Sequence, residues 1–472
     1  MINISIAKKA NNKKSTLFIS PKANQLKNDA LTSEQQAYLL KLEEGDFKSL
    51  NLVSRHIFSA NIKKADVEYK TLEAYRKLGN TIFNQVNGLK IEELQLDLNS
   101  LTAKNASALI EGLLMSSYQF LKYFSDADKK QNKFTKVKAI TKLSSNEVKA
   151  IANLIEGVFV AKDLVNEPVN FLTAEQLSKE VEKLSKDGIK VDVFNKKKIE
   201  SLKMGGLLAV NRGATNPPTF NILEWKPKNA KNEKPIVLVG KGVVYDTGGA
   251  NIKTGEFMTG MKADMGGAAA VIGAMKALAA NKVPQHVIAL IPSTENRING
   301  IEYVSGDVIT MFSGKTVEVI NTDAEGRMIL ADALAYAQKY DPMLVMDFAT
   351  LTGAAYRAIG QEGIVYMGSA NDKTKKAFEK SGYNCYERLV EFPMWDEYGE
   401  QIKSTIADIT NLGGPTGGAI TAGKFLEHFT DYPWLHFDIA ATAYINKKDN
   451  YRGNGATGSG VRLVHDFISN LA

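Results

Sequence analysis

Apolar positions in the first 120 residues fall into short strand-like runs that alternate with stretches at helical spacing. Residues 71–86 and 100–124 both read as helices, the second carrying Leu109, Leu113 and Leu114 beside Tyr118 and Leu121. The polar run at residues 125–133 reads as an exposed loop. Residues 146–163 form a long helical pattern, stopped at Pro168. Beyond it the pattern changes to buried strands alternating with helices. Strands are predicted at 235–239, 286–291, 315–320 and 343–348, and helices at 266–280 and 326–339. The predicted fold is α/β. A smaller N-terminal α/β domain (1–145) and a linking helix (146–167) precede a larger domain (168–472), whose mixed, mostly parallel sheet is flanked by helices.

In such sheets, sites gather at the carboxyl ends of strands, and three segments there are unusually polar. Lys241 and Asp246 follow the first buried strand. Asp264 precedes the alanine-rich helix at 266–280. The segment Asn321-Thr322-Asp323-Ala324-Glu325-Gly326-Arg327 lies between a strand and a helix. Taken singly, Asp264 and Asp323 read equally as helix N-caps, and Lys241 as a chain snorkelling to the surface. Taken together, Asp246, Asp264, Asp323 and Glu325 place four carboxylates at one sheet edge, where they repel without cations. Two divalent ions, ~3.5–4 Å apart in hydrolytic sites, resolve that repulsion. His56, His286, His428, His436 and His465 form no HExxH pair, so any metal site is rich in carboxylates.

Other signatures fail. Ser313-Gly314-Lys315-Thr316 resembles the end of a phosphate loop, but Ile309 stands where that loop needs glycine, and a strand follows. No G-x-S-x-G elbow is present. The glycine-rich run at 413–423 fits a flexible loop and a backbone approaching a ligand equally well.

Composition changes this picture little. A chain of 472 residues exceeds one ordinary core. Its one cysteine, Cys385, fits a reducing cytoplasm. The basic N-terminus lacks an apolar segment of signal type, and no apolar run approaches the ~20 residues of a membrane span. The net charge of +7 is concentrated in residues 1–150, where 24 Lys and Arg against 15 Asp and Glu give +9. That balance permits nucleic-acid binding, but the lysines are dispersed among acids and few aromatics, as on a solvated surface.

The blocks Val239-Gly240-Lys241-Gly242-Val243-Val244-Tyr245-Asp246-Thr247-Gly248-Gly249, Met261-Lys262-Ala263-Asp264-Met265-Gly266-Gly267 and residues 321–327 together resemble the signatures of the leucyl (cytosol) aminopeptidases. Residues 163–168, 347–354, 395–398 and 434–440 match as well, and the resemblance runs from about Asp163 onward. It implies a variable N-terminal domain and a catalytic metallopeptidase domain holding two divalent metals, zinc or manganese. Lys241, Asp246, Asp264 and Glu325 would form a tight site; Asp246, Asp323 and Glu325 would form an exchangeable one. Lys253 would stabilise an oxyanion, and Arg327 would hold a bicarbonate. Met261, Thr350 and Gly353 would line the pocket for the first side chain, Leu351 would offer a carbonyl, and Asp264 would bind the substrate's amine. The expected activity is release of an apolar, leucine-like N-terminal residue from peptides by a cytoplasmic homohexamer. A narrower cysteinylglycine-type dipeptidase and an added DNA-binding role of the basic N-terminal domain are the alternatives. Two departures from the family pattern stand out: Thr254 follows Lys253 where proline is common, and residues 419–424 are less apolar than usual.

Overall fold

The computed structural model describes residues 1–26 and 31–471. The chain divides into two compact units, Met1–Ile155 with Lys448–Gly453, and Glu156–Lys447 with Asn454 onward. The boundary falls within the helix Ser145–Asn166.

In the first unit a six-stranded sheet is built from β1 (Asn3–Ile6), β2 (Thr16–Ile19), β3 (Phe47–Leu52), β4 (Arg55–Ala60), β5 (Glu93–Asp97) and β6 (Lys136–Ile140), in the order β1-β6-β5-β2-β4-β3. Only β3 pairs antiparallel. Helix α1 (Glu68–Gly88) packs against α2 (Ala103–Ser116). The second helix stops eight residues before the apolar pattern predicts. Its end has a local cause: the hydroxyls of Ser116 and Ser117 donate to the carbonyls of Gly112 and Leu114, both at 2.7 Å, competing with helix continuation. The stretch predicted to be loop at 125–133 is mostly exposed but contains a single helical turn, Ala127–Lys130.

The second unit holds β7 (Lys190–Phe194), β8 (Thr219–Trp225), β9 (Ile236–Gly240), β10 (Gly242–Asp246), β11 (Val287–Asn296), β12 (Val308–Thr310) and β13 (Thr316–Glu318). It continues with β14 (Leu344–Ala349), β15 (Ile364–Met367), β16 (Leu389–Glu391), β17 (Ile409–Thr410) and β18 (Trp434–Asp438). The central sheet runs β16-β15-β18-β14-β9-β11-β8-β7, with β10 also paired to β11. The inner pairs β18-β14, β14-β9 and β9-β11 are parallel. These strands are buried on both faces, which is why β9 reads as an unbroken apolar run, while β14 and β18 carry the buried polar residues Asp347, His436 and Asp438. Helix α3 (Gly266–Ala280) packs on β9 and β14, and α4 (Glu325–Ala337) packs on β9, β11 and β14.

One predicted strand sits elsewhere. Residues 315–320 shorten to β13, which joins β12 and β17 in a separate three-stranded sheet. Gly314, at φ +89°, closes the tight β12–β13 turn and leaves too little chain for a central strand. The stretch Met261–Ala280 is long and apolar enough to cross a membrane, contrary to the expectation that no such run exists. A 3₁₀ turn, Met261–Met265, extends α3 to that length. However, 89% of its most apolar window is buried within the protein, as in a core helix.

Candidate metal centre and active site

Four strand ends converge on one edge of the central sheet. Lys241 follows β9, Asp246 ends β10, Asn296 ends β11 and Thr350 follows β14. Asp264 comes from the 3₁₀ turn before α3. Asp323 and Glu325 come from the start of α4 instead of from a central strand.

The contacts organise these residues into two halves. In the buried half, Lys241 Nζ lies 2.7 Å from Asp264 Oδ1 and 2.9 Å from Glu325 Oε1, and donates to the Thr350 carbonyl at 2.9 Å. These side chains are at most 7% exposed. In the open half, Lys253 Nζ lies 2.8 Å from Asp246 Oδ2 and 2.5 Å from Asp323 Oδ1, and Asp323 is 33% exposed. Asp246, Asp323 and Glu325 each offer an oxygen within 4.8 Å of the others. Asp264 stands outside that trio, reached through the Lys241 ammonium. Its second oxygen, Oδ2, is buried with no hydrogen-bond partner among the described residues.

The cluster is short of positive charge. Two lysines face four carboxylates in a dry site. Burial pushes both ammonium groups down, but the surrounding carboxylates outweigh it and leave Lys241 and Lys253 above their ordinary value. Burial, with the charges of Asp246 and Glu325, raises Asp323 to about 7 despite Lys253. Burial also raises Asp264 well above the ordinary carboxylate value, although Lys241 opposes it. An unpartnered carboxylate oxygen, three converging oxygens and this uncompensated negative charge together fit divalent cations.

The family models match the chain in two places: "Cytosol aminopeptidase family, catalytic domain" over residues 159–465, and the family's N-terminal domain over residues 66–127. The chain belongs to the cytosol aminopeptidase family. A probable cytosol aminopeptidase of Chlorobaculum tepidum is 44% identical over 427 residues, covering 85% of this chain and 84% of the relative. One from Clostridium perfringens is 39% identical over 413 residues, covering 84% and 83%. Among solved structures, a mutant tomato leucine aminopeptidase superposes with a TM-score of 0.86 at 29% identity, covering 100% of this chain and 97% of that one. The bottromycin maturation enzyme BotP in complex with Mn gives 0.85 at 26%, covering 97% and 98%. As a cytosol aminopeptidase the chain is a hydrolase of a metal-dependent family.

Within this cytosol aminopeptidase the remaining candidates lie around the cluster. Thr350 Oγ1 donates to Asp264 Oδ1 at 2.9 Å, and Met261 opens the 3₁₀ turn that carries Asp264. The Leu351 amide donates to Asp438 Oδ1 at 3.2 Å, and Gly353 begins the helix Gly353–Ile359. Arg327, on the first turn of α4, is buried and donates from Nη1 to the Asn411 carbonyl at 2.9 Å. Burial lowers its guanidinium to about 10 against the pull of Glu325 and Asp438. Its Nε has no partner among the described residues.

Several organising residues escaped the sequence reading. Asn296 donates to Asp246 Oδ1 at 2.8 Å and to the Thr322 carbonyl at 3.1 Å. Thr322 is fully buried; it donates to the Gly248 carbonyl at 2.6 Å and accepts from the Asn251 amide at 2.9 Å. These bonds fasten the Asp246 loop to the Asp323 loop. The available signal was Ser293-Thr294-Glu295-Asn296, four polar residues closing a wholly buried strand. The glycine-rich run is a loop only in its first half. Its second half is the helix Gly418–Glu427, where a Cβ on Gly423 would lie 2.2 Å from Met367 Sδ.

Proposed function

We propose that this chain removes a leucine-like N-terminal residue from peptides by hydrolysis at a two-metal centre. The observation that carries the reading is the interleaving of two lysines with four carboxylates, one half dry and one half open. Lys241, Asp246, Asp264 and Glu325 would hold a tightly bound ion in the buried half. Asp246, Asp323 and Glu325 would hold an exchangeable one in the open half. Zinc or manganese suits a set of carboxylates and one amine. When bound, such ions supply an activated water at neutral pH and polarise the scissile carbonyl.

The chain's own groups would do the rest. Lys241 must give up its proton to become a ligand. Lys253, released from Asp246 and Asp323 once those carboxylates bind metal, stays charged and donates to the developing oxyanion. Asp264 Oδ2, unpartnered among the described residues, would accept from the substrate's free amine, which restricts cleavage to the N-terminus. Arg327 would hold a bicarbonate, with its unpartnered Nε available to an oxygen. Met261, Thr350 and Gly353 would line the first side-chain pocket, and Leu351 would offer its carbonyl to the substrate backbone.

The family resemblance also supports a homohexamer. Light scattering measures the mass directly.

The test of the activity is a panel of aminoacyl-amides assayed before and after chelation, then with zinc or manganese restored. Leucine-like substrates should lead the panel, and activity should vanish with metal and return with it. Turnover surviving complete metal removal would sink the mechanism.

A further inference from the structure

Below the strand ends lies a buried polar trio that takes no part in the chemistry described above. Asp347 on β14, and His436 and Trp434 on β18, are all 0% exposed. The strands run parallel with Asp347 opposite His436 and Ala349 opposite Asp438. Asp347 accepts from Trp434 Nε1 at 2.7 Å and pairs with His436 Nδ1 at 2.6 Å. A carboxylate inside a sheet is costly unless a cation neutralises it. Burial pushes the His436 imidazole down, but Asp347 outweighs burial and raises it, favouring the imidazolium. Its Nε2 has no partner among the described residues.

Alternation along the strands places residues 345, 347 and 349 of β14 on the same face as 434, 436 and 438 of β18. On that face Val345, Ala349 and Trp434 share one core cluster with Met328 and Ile329 of α4. The helix covering the trio is therefore the one whose first turn carries Glu325 and Arg327. The Arg327 charge is felt at His436, and Glu325 and Asp438 both attract Arg327. At the strand ends, Asp438 accepts from the Leu351 amide at 3.2 Å and from Thr352 Oγ1 at 2.7 Å.

We propose that Asp347 and His436 form a positioning pair for the active site, fixing β14 against β18 under residues 350–352, where Thr350 holds Lys241 through its carbonyl and Asp264 through its hydroxyl. The part played by Lys241 and Asp264 rests on the reading given under Proposed function. Replacing the Asp347 carboxylate weakens its bond to His436 and frees the end of β14 to move.

The experiment compares Asp347→Asn with Trp434→Phe in the full-length, metal-loaded enzyme. Asp347→Asn should keep its metal and lose about tenfold or more in kcat with KM within about twofold. Trp434→Phe deletes the other hydrogen bond to the same carboxylate; it should lower Tm while holding kcat within about twofold. Wild-type kcat in Asp347→Asn, or equal kcat losses in both variants, would overturn the proposal. Should Asp347→Asn not fold, His436→Gln, which still donates to Asp347 but carries no charge, is judged by the same criteria. Chelation separates the two readings. Turnover that survives complete metal removal removes the proposed function and the inference with it. Metal-dependent turnover with wild-type kcat in Asp347→Asn removes the positioning pair alone.

Discussion

A Cβ on Gly326 would lie 2.4 Å from Lys241 Cε and 2.6 Å from Lys241 Nζ. The Lys241 side chain thus reaches Asp264 and Glu325 by passing over a helix position with no side chain. In an ordinary helix interior, Gly→Ala stabilises by about 1 kcal/mol. Here Gly326→Ala is expected to leave Tm near wild type while pushing Lys241 off its partners. Metal content should fall, and kcat/KM should drop by about a hundredfold or more, the equivalent of ~3 kcal/mol. Metal analysis and steady-state kinetics on the purified variant check both. A fully active Gly326→Ala would mean that Lys241 is not needed where it lies.

That glycine marks the limit of what the sequence reveals. Lys241 was legible because a strand buried on both faces is an apolar run that stops abruptly, whereas the separate strand ending at Asp246 was not predicted and Thr350 was reached only through the family resemblance. Asp323 and Glu325 were legible as chemistry but misplaced in the fold, because the short run before them looked like a central strand and is the side strand β13. The space over Gly326 is filled by a lysine 85 positions earlier in the chain, which no local pattern announces. Asn296, Thr322 and Asn411 were not found because their partners are loops distant in sequence, and no local periodicity encodes such hydrogen bonds. The trio Asp347, His436 and Trp434 was visible only as a motif. Its meaning depends on the β14–β18 register.

Lys253 and Arg327 have separable consequences. Lys253 is 14% exposed and bridges Asp246 and Asp323, both shared with the predicted metal sites. Lys253→Ala should retain metal, because metal and lysine compete for the same carboxylates. Its kcat should fall roughly a hundred- to a thousandfold, as when one oxyanion donor is lost. Arg327→Ala should also keep its metal and lose most of kcat. Metal loss in Lys253→Ala would recast that lysine as part of the ion-holding framework; unimpaired kcat in both variants would remove the two assigned roles.

Asp332 anchors α4 from within. It is fully buried and accepts from the amides of Leu207 at 2.9 Å and Phe312 at 2.8 Å. Two segments are thereby tied to the helix that presents Glu325 and Arg327. Asp332→Ala leaves these buried donors without an acceptor, at ~1–3 kcal/mol each. Thermal unfolding should show a Tm lower by about 5 °C or more. KM should change little in whatever fraction stays folded, because Asp332 is two turns away from the cluster. A Tm within a degree or so of wild type would show that water satisfies both amides.

His465 gives the protein an acid limit independent of the metal site. It lies on the helix Val461–Ser469, with Nε2 2.9 Å from Asn281 Nδ2, and burial pushes its imidazole down to about 4. The unfolded chain binds a proton there near pH 6.5, whereas the folded chain does not until about pH 4. Between those values the unfolded state holds more protons, so stability rises with pH. The contribution of His465 is complete above about 6.5 and is lost progressively as pH falls toward 4, amounting to about 3 kcal/mol at most. His465→Gln keeps a side chain able to bond Asn281 but cannot titrate. Denaturant midpoints measured from pH 8 to 4.5 should therefore converge or cross, with wild type declining more steeply below pH 6.5. Parallel pH profiles for the two proteins would show that His465 is solvated enough to charge in place.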